Sequence, residues 1–132
     1  MTDSTTSHPT IGRHIILDLY DVNYENLCFI NRNVDTRRVW DKFISIWFEM
    51  SKITCIRSVW NDFNQEGAFT ALYLLTESHM SIHTWPEHQY VAIDIFTCGD
   101  CNTDILCGKL IEYFEPKNKV VTNLSRGDKI KD

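Results

Sequence analysis

The densest run of reactive side chains is Glu77-Ser78-His79-Met80-Ser81-Ile82-His83-Thr84-Trp85-Pro86-Glu87, and an apolar stretch then leads into Phe96-Thr97-Cys98-Gly99-Asp100. His79 and His83, taken with Cys98 and Cys101, make a His-x3-His and a Cys-x2-Cys, a set that could hold zinc. On a strand, two residues four apart are separated by about 13 Å at ~3.3 Å per residue, too far to share one ion. A redox pair of Cys98 and Cys101 would need a strand-to-helix setting that the surrounding residues do not provide. Neither metal nor dithiol chemistry is therefore expected. What remains is Ser, His, Glu and Cys side chains carried on two neighbouring strands.

The elements that must position them can be read from periodicity. His14 to Tyr20, rich in β-branched and aromatic residues, predicts a strand. Asp21 to Asp35 predicts a loop or a short helical turn. Val39, Phe43, Ile46, Trp47 and Met50 share one face at a 3.6-residue period, which predicts an amphipathic helix with Asp35 or Thr36 as N-cap. Ile53 to Trp60 predicts a strand with Ile53, Cys55 and Arg57 on alternate positions. Phe69 to Leu75 is apolar nearly throughout, as expected of a strand buried on both faces. Met80 to Thr84 and Tyr90 to Phe96 predict strands joined through Pro86-Glu87-His88. Asn102 or Thr103 opens a second helix with Ile105, Leu106, Leu110 and Phe114 inward and Pro116 beyond its end. Val120 to Leu124 predicts a last strand.

Short links between the middle strands imply antiparallel pairing, and both helices can cover one face of the sheet. The fold class is α+β, a two-layer sandwich. Its other sheet face is expected to be partly apolar and to be covered by a second copy, giving a homodimer. At 132 residues the chain suits a single domain. Residues 12–127 are expected to form it, after a disordered polar lead at residues 1–11.

Thirteen basic against eighteen acidic side chains leave a formal charge of −5, with no basic stripe for nucleic acid. No run of about 18 apolar residues is present, so no membrane span is expected. The polar start lacks the apolar core of a secretion signal. The expected location is cytoplasmic, and the five cysteines (Cys28, Cys55, Cys98, Cys101 and Cys107) are expected to be reduced.

Gly12-Arg13-His14, the run from Glu77 to Glu87, and Asp94-Ile95-Phe96-Thr97-Cys98-Gly99-Asp100 together resemble the short bacterial and archaeal S-adenosylmethionine decarboxylases. The likeness extends from about Gly12 to Gly127. It implies an enzyme made as a proenzyme that cleaves its own Glu77–Ser78 bond. Ser78 Oγ would attack the Glu77 carbonyl to give an ester. Elimination and hydrolysis would then leave a pyruvoyl group at residue 78, and the chain would become fragments 1–77 and 78–132. Removing carbon dioxide from an α-amino acid needs an electron sink that no ordinary side chain offers. The family meets that need with the pyruvoyl ketone, which forms a Schiff base with the substrate amine, without pyridoxal phosphate and without metal. Decarboxylated S-adenosylmethionine is the implied product, an aminopropyl donor for spermidine synthesis.

The resemblance also implies roles. Ser78 is the pyruvoyl precursor and Glu77 supplies the other side of the cleaved bond. His83 assists processing as a proton carrier, and Cys98 is the acid that returns a proton to the substrate Cα. Thr70 corresponds to a hydroxyl residue that helps processing, where it could bond the Glu77 carbonyl. Phe63 corresponds to an aromatic that stacks on adenine, and Glu87 to a carboxylate that binds ribose hydroxyls. The chain departs from the family where Asp21-Val22 replaces Gly-Cys and where Trp60-Asn61-Asp62-Phe63-Asn64-Gln65 replaces Phe-His-x-Phe and a following Pro. These departures leave open a pyruvoyl-dependent ornithine or arginine decarboxylase, with Asp21 or Asp62 pairing a cationic substrate. A binding partner that has lost activity is the non-enzymatic reading, and the joint presence of Ser78, His83 and Cys98 argues against it.

Overall fold

The computed structural model describes residues 11–130. Nearly all of the expected polar lead therefore lies outside the described residues. The chain runs β1 (Gly12–Tyr20), α1 (Tyr24–Phe29), α2 (Val34–Met50), β2 (Cys55–Asp62), β3 (Phe69–Leu75), β4 (Ser78–Trp85), a 3-10 turn (Pro86–His88), β5 (Tyr90–Cys98), α3 (Thr103–Phe114) and β6 (Asn118–Arg126). The six strands form one sheet in the order β2-β3-β4-β5-β1-β6. Every neighbouring pair is antiparallel. The α+β, two-layer expectation holds.

Alternation along the strands gives the sheet two unlike faces. Ile15, Leu17, Leu19, Phe69, Ala71, Tyr73, Leu75, Met80, Ile82, Val91, Ile93 and Ile95 point to the helices and are buried. Each large aliphatic or aromatic side chain so enclosed contributes roughly 1.5–3 kcal/mol. The helices answer with Trp40, Ile44 and Phe48 from α2 and with Leu106, Leu110 and Phe114 from α3. Trp40 ties the two layers together: its ring lies 5.2 Å from that of Tyr113 and 5.9 Å from that of Phe114. Its indole N–H donates to the Tyr73 hydroxyl over 3.4 Å, and burial pushes that phenol up to about 12.

Several details differ from the sequence reading. Helix α2 starts two residues before the Asp35 cap and three before the Thr36 cap would place it, because Asn33 closes a capping box with Thr36. Its buried stripe is Trp40-Ile44-Phe48. Val39, Ile46 and Met50, expected inward, are 38 %, 45 % and 46 % exposed, while Phe43 and Trp47 flank the core. The helix is apolar around more than half its circumference, and only the sheet decides which arc is covered. Strand β3 is not enclosed on both faces: Leu72 and Leu74 are 49 % and 53 % exposed. Of the three β2-region residues expected to alternate, Ile53 is buried while Cys55 and Arg57 are exposed. Among the described residues, no helix is long and apolar enough to cross a membrane.

Candidate active site

The face without helices carries the polar and reactive side chains. In register across it stand His14, Ile16 and Asp18 of β1, Phe96, Asp94 and Ala92 of β5, His79, Ser81 and His83 of β4, and Leu74, Leu72 and Thr70 of β3. The residues singled out in the sequence gather at its two opposite ends.

At the first end, β3 turns into β4 through Thr76 and Glu77, with Leu75 paired to Ser78 across the hairpin. Ser78 leaves this turn at φ +149°, a conformation that a residue with a Cβ rarely adopts. Such strain costs on the order of 1–3 kcal/mol and is held at the residue that follows the Glu77–Ser78 bond. The Glu77 carbonyl oxygen accepts the Cys98 backbone N–H at 2.9 Å and the Cys98 thiol at 3.0 Å. Two donors on one carbonyl oxygen are what a tetrahedral oxyanion requires. Cys98 is held there because the buried Thr97 hydroxyl shares a 2.8 Å hydrogen bond with Thr103 at the start of α3. Gly99, at φ +79°, then supplies the turn that ends the strand. Ser78 Oγ lies 3.0 Å from His79 Nδ1. The Glu77 carboxylate points elsewhere and accepts the Thr54 N–H at 3.1 Å. Desolvation pushes its pKa upward, but hydrogen bonds from the Thr76 hydroxyl and from backbone N–H groups outweigh this and hold it below its ordinary value.

At the second end, Thr70 Oγ1 and His83 Nδ1 are 2.5 Å apart, and Thr70 and His83 face each other in the ladder. Phe63 lies beside this pair, its ring 5.8 Å from that of His83. Trp85 lies 4.1 Å from the His83 ring, tilted by 45°, and stacks on Tyr90 at 5.0 Å, and Tyr90 in turn stacks on Tyr20 at 5.2 Å. The Tyr90 hydroxyl donates to Asp18. Burial first, and the adjoining carboxylate second, push that phenol well above its usual range. Glu87 follows in the 3-10 turn and is exposed. The aromatic row of Trp85, Tyr90 and Tyr20 was not assigned a role from sequence. Trp85 lies within the motif, yet its stacking on Tyr90 depends on the strand register.

The structure thus brings Glu77, Ser78 and Cys98 together and, apart from them, Phe63, Thr70 and His83. Ser78 and His83 are five residues apart on one extended strand, a separation of about 16 Å. Thr70 is equally far along β3 from the residue paired with Ser78. Within one chain it does not reach the Glu77 carbonyl, whose two hydrogen bonds come from Cys98. Trp60 and Asp62 lie on the helix side, opposite Ala71 and Phe69 in the ladder. Trp60 stacks on Phe69 at 4.2 Å with the Arg37 guanidinium over its ring, and Asp62 accepts from Asn31 and from the Asn64 backbone. Those departures stabilise the hairpin base and the α1–α2 link rather than adding a carboxylate to the bare face.

A family model described as S-adenosylmethionine decarboxylase matches residues 13–127. The chain is 38% identical over 118 residues to the S-adenosylmethionine decarboxylase proenzyme of Archaeoglobus fulgidus, covering 89% of this chain and 98% of that one. It is 36% identical over 123 residues to the proenzyme of the same name from Thermoplasma acidophilum, covering 92% and 88%. With that of a Hydrogenobaculum species it shares 45% over 91 residues, and there the match spans 69% of this chain and only 62% of the relative. Among solved structures, the adenosylmethionine decarboxylase from Aquifex aeolicus superposes with a TM-score of 0.73 at 30% identity, over 91% of this chain and 93% of that one.

Proposed function

The chain belongs to the S-adenosylmethionine decarboxylase family, and from that premise we propose that it cleaves itself at Glu77–Ser78 and then decarboxylates S-adenosylmethionine. The observation that carries this reading is the Glu77 carbonyl, clasped by both donors of Cys98 beside a strained Ser78. As Ser78 Oγ closes on the carbonyl carbon, charge grows on the oxygen that Cys98 already holds. Collapse breaks the C–N bond and leaves an ester between Glu77 and Ser78. Loss of the Ser78 Cα proton then expels the main-chain carboxylate of residue 77, and water converts the resulting dehydroalanine to a keto group with release of ammonia. A serine in this setting fits a pyruvoyl precursor, since both the nucleophile and the charge-stabilising donors are in place before any ligand arrives. The pyruvoyl group at position 78 would supply the ketone that binds the substrate amine and withdraws the electron pair left by carbon dioxide.

Cys98 serves twice in this scheme. Cleavage removes the carbonyl geometry that engages its thiol, which is then free at the exposed strand end to protonate the substrate Cα. His83 and Thr70 are about 16 Å away in the same chain, so a second copy must bring them. A two-fold axis crossing the bare face near Ser81 would lay the Thr70–His83 pair of one copy over Ser78 and Cys98 of the other. Phe63 travels with His83, so the aromatic that would stack on adenine enters the same composite site, and Glu87 would bind the ribose hydroxyls. The exposed apolar side chains Val59, Leu72, Leu74, Val120 and Leu124 give such a homodimer its contact surface.

Intact mass and carbon dioxide release test the reading. Wild-type protein is expected as fragments 1–77 and 78–132, the second blocked at its N-terminus, and Ser78→Ala as one 15.5 kDa chain. Carboxyl-labelled S-adenosylmethionine should release label where ornithine and arginine do not. Release from ornithine or arginine instead would overturn the substrate, and complete cleavage with no release from any of the three would overturn the activity.

A further inference from the structure

Self-cleavage needs a group to take the proton from Ser78 as its oxygen attacks, and His83 lies about 16 Å along the strand with its Nδ1 already engaged by Thr70. Glu77 turns its carboxylate away to the Thr54 N–H. On the bare face, Asp94 is occupied by His14 Nε2 at 3.1 Å. His79 is different. Its Nδ1 is 3.0 Å from Ser78 Oγ, within the reach a general base requires. Its partners across the two ladders are Leu74 and Phe96, and neither competes for a ring nitrogen. The Phe96 ring, 5.6 Å away and tilted by 59°, flanks the imidazole.

Resting on the self-cleavage reading above, we propose that His79 is the catalytic base for the first step, distinct from any later role of His83. In the neutral tautomer with the proton on Nε2, the Nδ1 lone pair accepts the Ser78 hydroxyl proton while Oγ bonds to the Glu77 carbonyl carbon. The carbonyl electron pair moves onto the oxygen held by Cys98. When the C–N bond breaks, the same proton passes from Nδ1 to the leaving nitrogen of Ser78, which is adjacent. No other reactant is needed, and the imidazole is regenerated. His83, reaching the site only from a second copy, is left the later removal of the Ser78 Cα proton.

Hydroxylamine separates the two steps, because it cleaves an ester at 77/78 and leaves the amide intact. His79→Ala is expected to form fragments about 10²–10⁴-fold more slowly than wild type. It should accumulate as a hydroxylamine-resistant whole chain, whereas His83→Ala should accumulate as a hydroxylamine-sensitive one. Added imidazole should restore cleavage to His79→Ala. His79→Gln, which keeps an acceptor but cannot carry a proton, should remain slow. Wild-type speed in His79→Ala or His79→Gln, an ester accumulating in His79→Ala, or no rescue by imidazole would each overturn the proposal. A wild-type chain that never cleaves would instead refute self-cleavage itself.

Discussion

The two faces of the sheet are made from the same strands by alternate residues, and they obey opposite rules. The helix-covered face of β3 to β5 is almost wholly aliphatic and aromatic, and its few polar side chains are tied down: Thr84 donates to the Gly67 carbonyl and Thr97 pairs with Thr103. The bare face spends the same backbone on His14, Asp18, His79, His83, Asp94 and Cys98. Stability is concentrated on one side, so the other can hold an exposed His79 and half-buried His14 and His83 without threatening the fold. The strained Ser78, in register with Leu75 and Thr97, sits at the hairpin end of the sheet. A sheet clad on a single side thereby separates folding from chemistry residue by residue.

The sharpest way to break this contrast is to ask whether the bare face works alone. A mixture of Ser78→Ala and His83→Ala chains, co-expressed to form mixed dimers, should regain cleavage of the His83→Ala chain, because its Ser78 meets an intact His83 from the other copy. Neither variant alone should be cleaved to the pyruvoyl fragments. Failure of the mixture, read by intact mass, would sink the shared site.

A paired truncation sharpens the energetic side. Leu17, fully buried on the helix side, should cost about 2–5 kcal/mol when changed to Ala. Leu72, half exposed on the bare face, should cost the single chain about 0.5 kcal/mol or less in chemical denaturation and should instead weaken the proposed dimer in sedimentation. Equal losses from both would show that the faces are not divided as described.

The smallest effect concerns Glu77, where the faces meet at the hairpin. Its folded pKa lies below the usual 4.5, so its contribution is in place above the unfolded value and is lost as pH falls through the folded one. In the uncleaved Ser78→Ala background, Glu77→Gln should flatten a slight decline in stability on the acid side of pH 5. No difference between the two on that limb would remove the carboxylate from the hairpin's support.

Much of this division is legible before folding. The strand and helix order follows from periodicity, and the reactive run around Ser78 stands out by composition alone. The inward arc of α2 does not, since Val39, Ile46 and Met50 are as apolar as Ile44 and Phe48 and only docking on the sheet chooses between them. Leu72 and Leu74 made β3 read as doubly enclosed, when one of its faces is open in the single chain. Trp60 and Asp62 suggested a substrate pocket, but the ladder register turns Trp60 toward Phe69 and Arg37 and Asp62 toward Asn31. The separation of Ser78 from His83 was accessible from strand geometry, the same spacing argument that denies His79 and His83 a common ion. The hydrogen bonds from Cys98 to Glu77 join residues 21 positions apart, and only the pairing of β4 with β5 brings them together.

The strand order also determines what the proposed self-cleavage would do to the molecule as an object. A cut after Glu77 assigns β1, β2 and β3 to one piece and β4, β5 and β6 to the other, yet in the order β2-β3-β4-β5-β1-β6 the pieces interleave. The β3–β4, β5–β1 and β1–β6 ladders all cross between them, so neither can slip out while the sheet is intact. Unfolding, by contrast, changes in molecularity. The uncut chain can refold by itself, but the two severed pieces must find each other, so recovery from denaturation should depend on protein concentration only after maturation. Such a cut would be local in the native state and irreversible in the unfolded one.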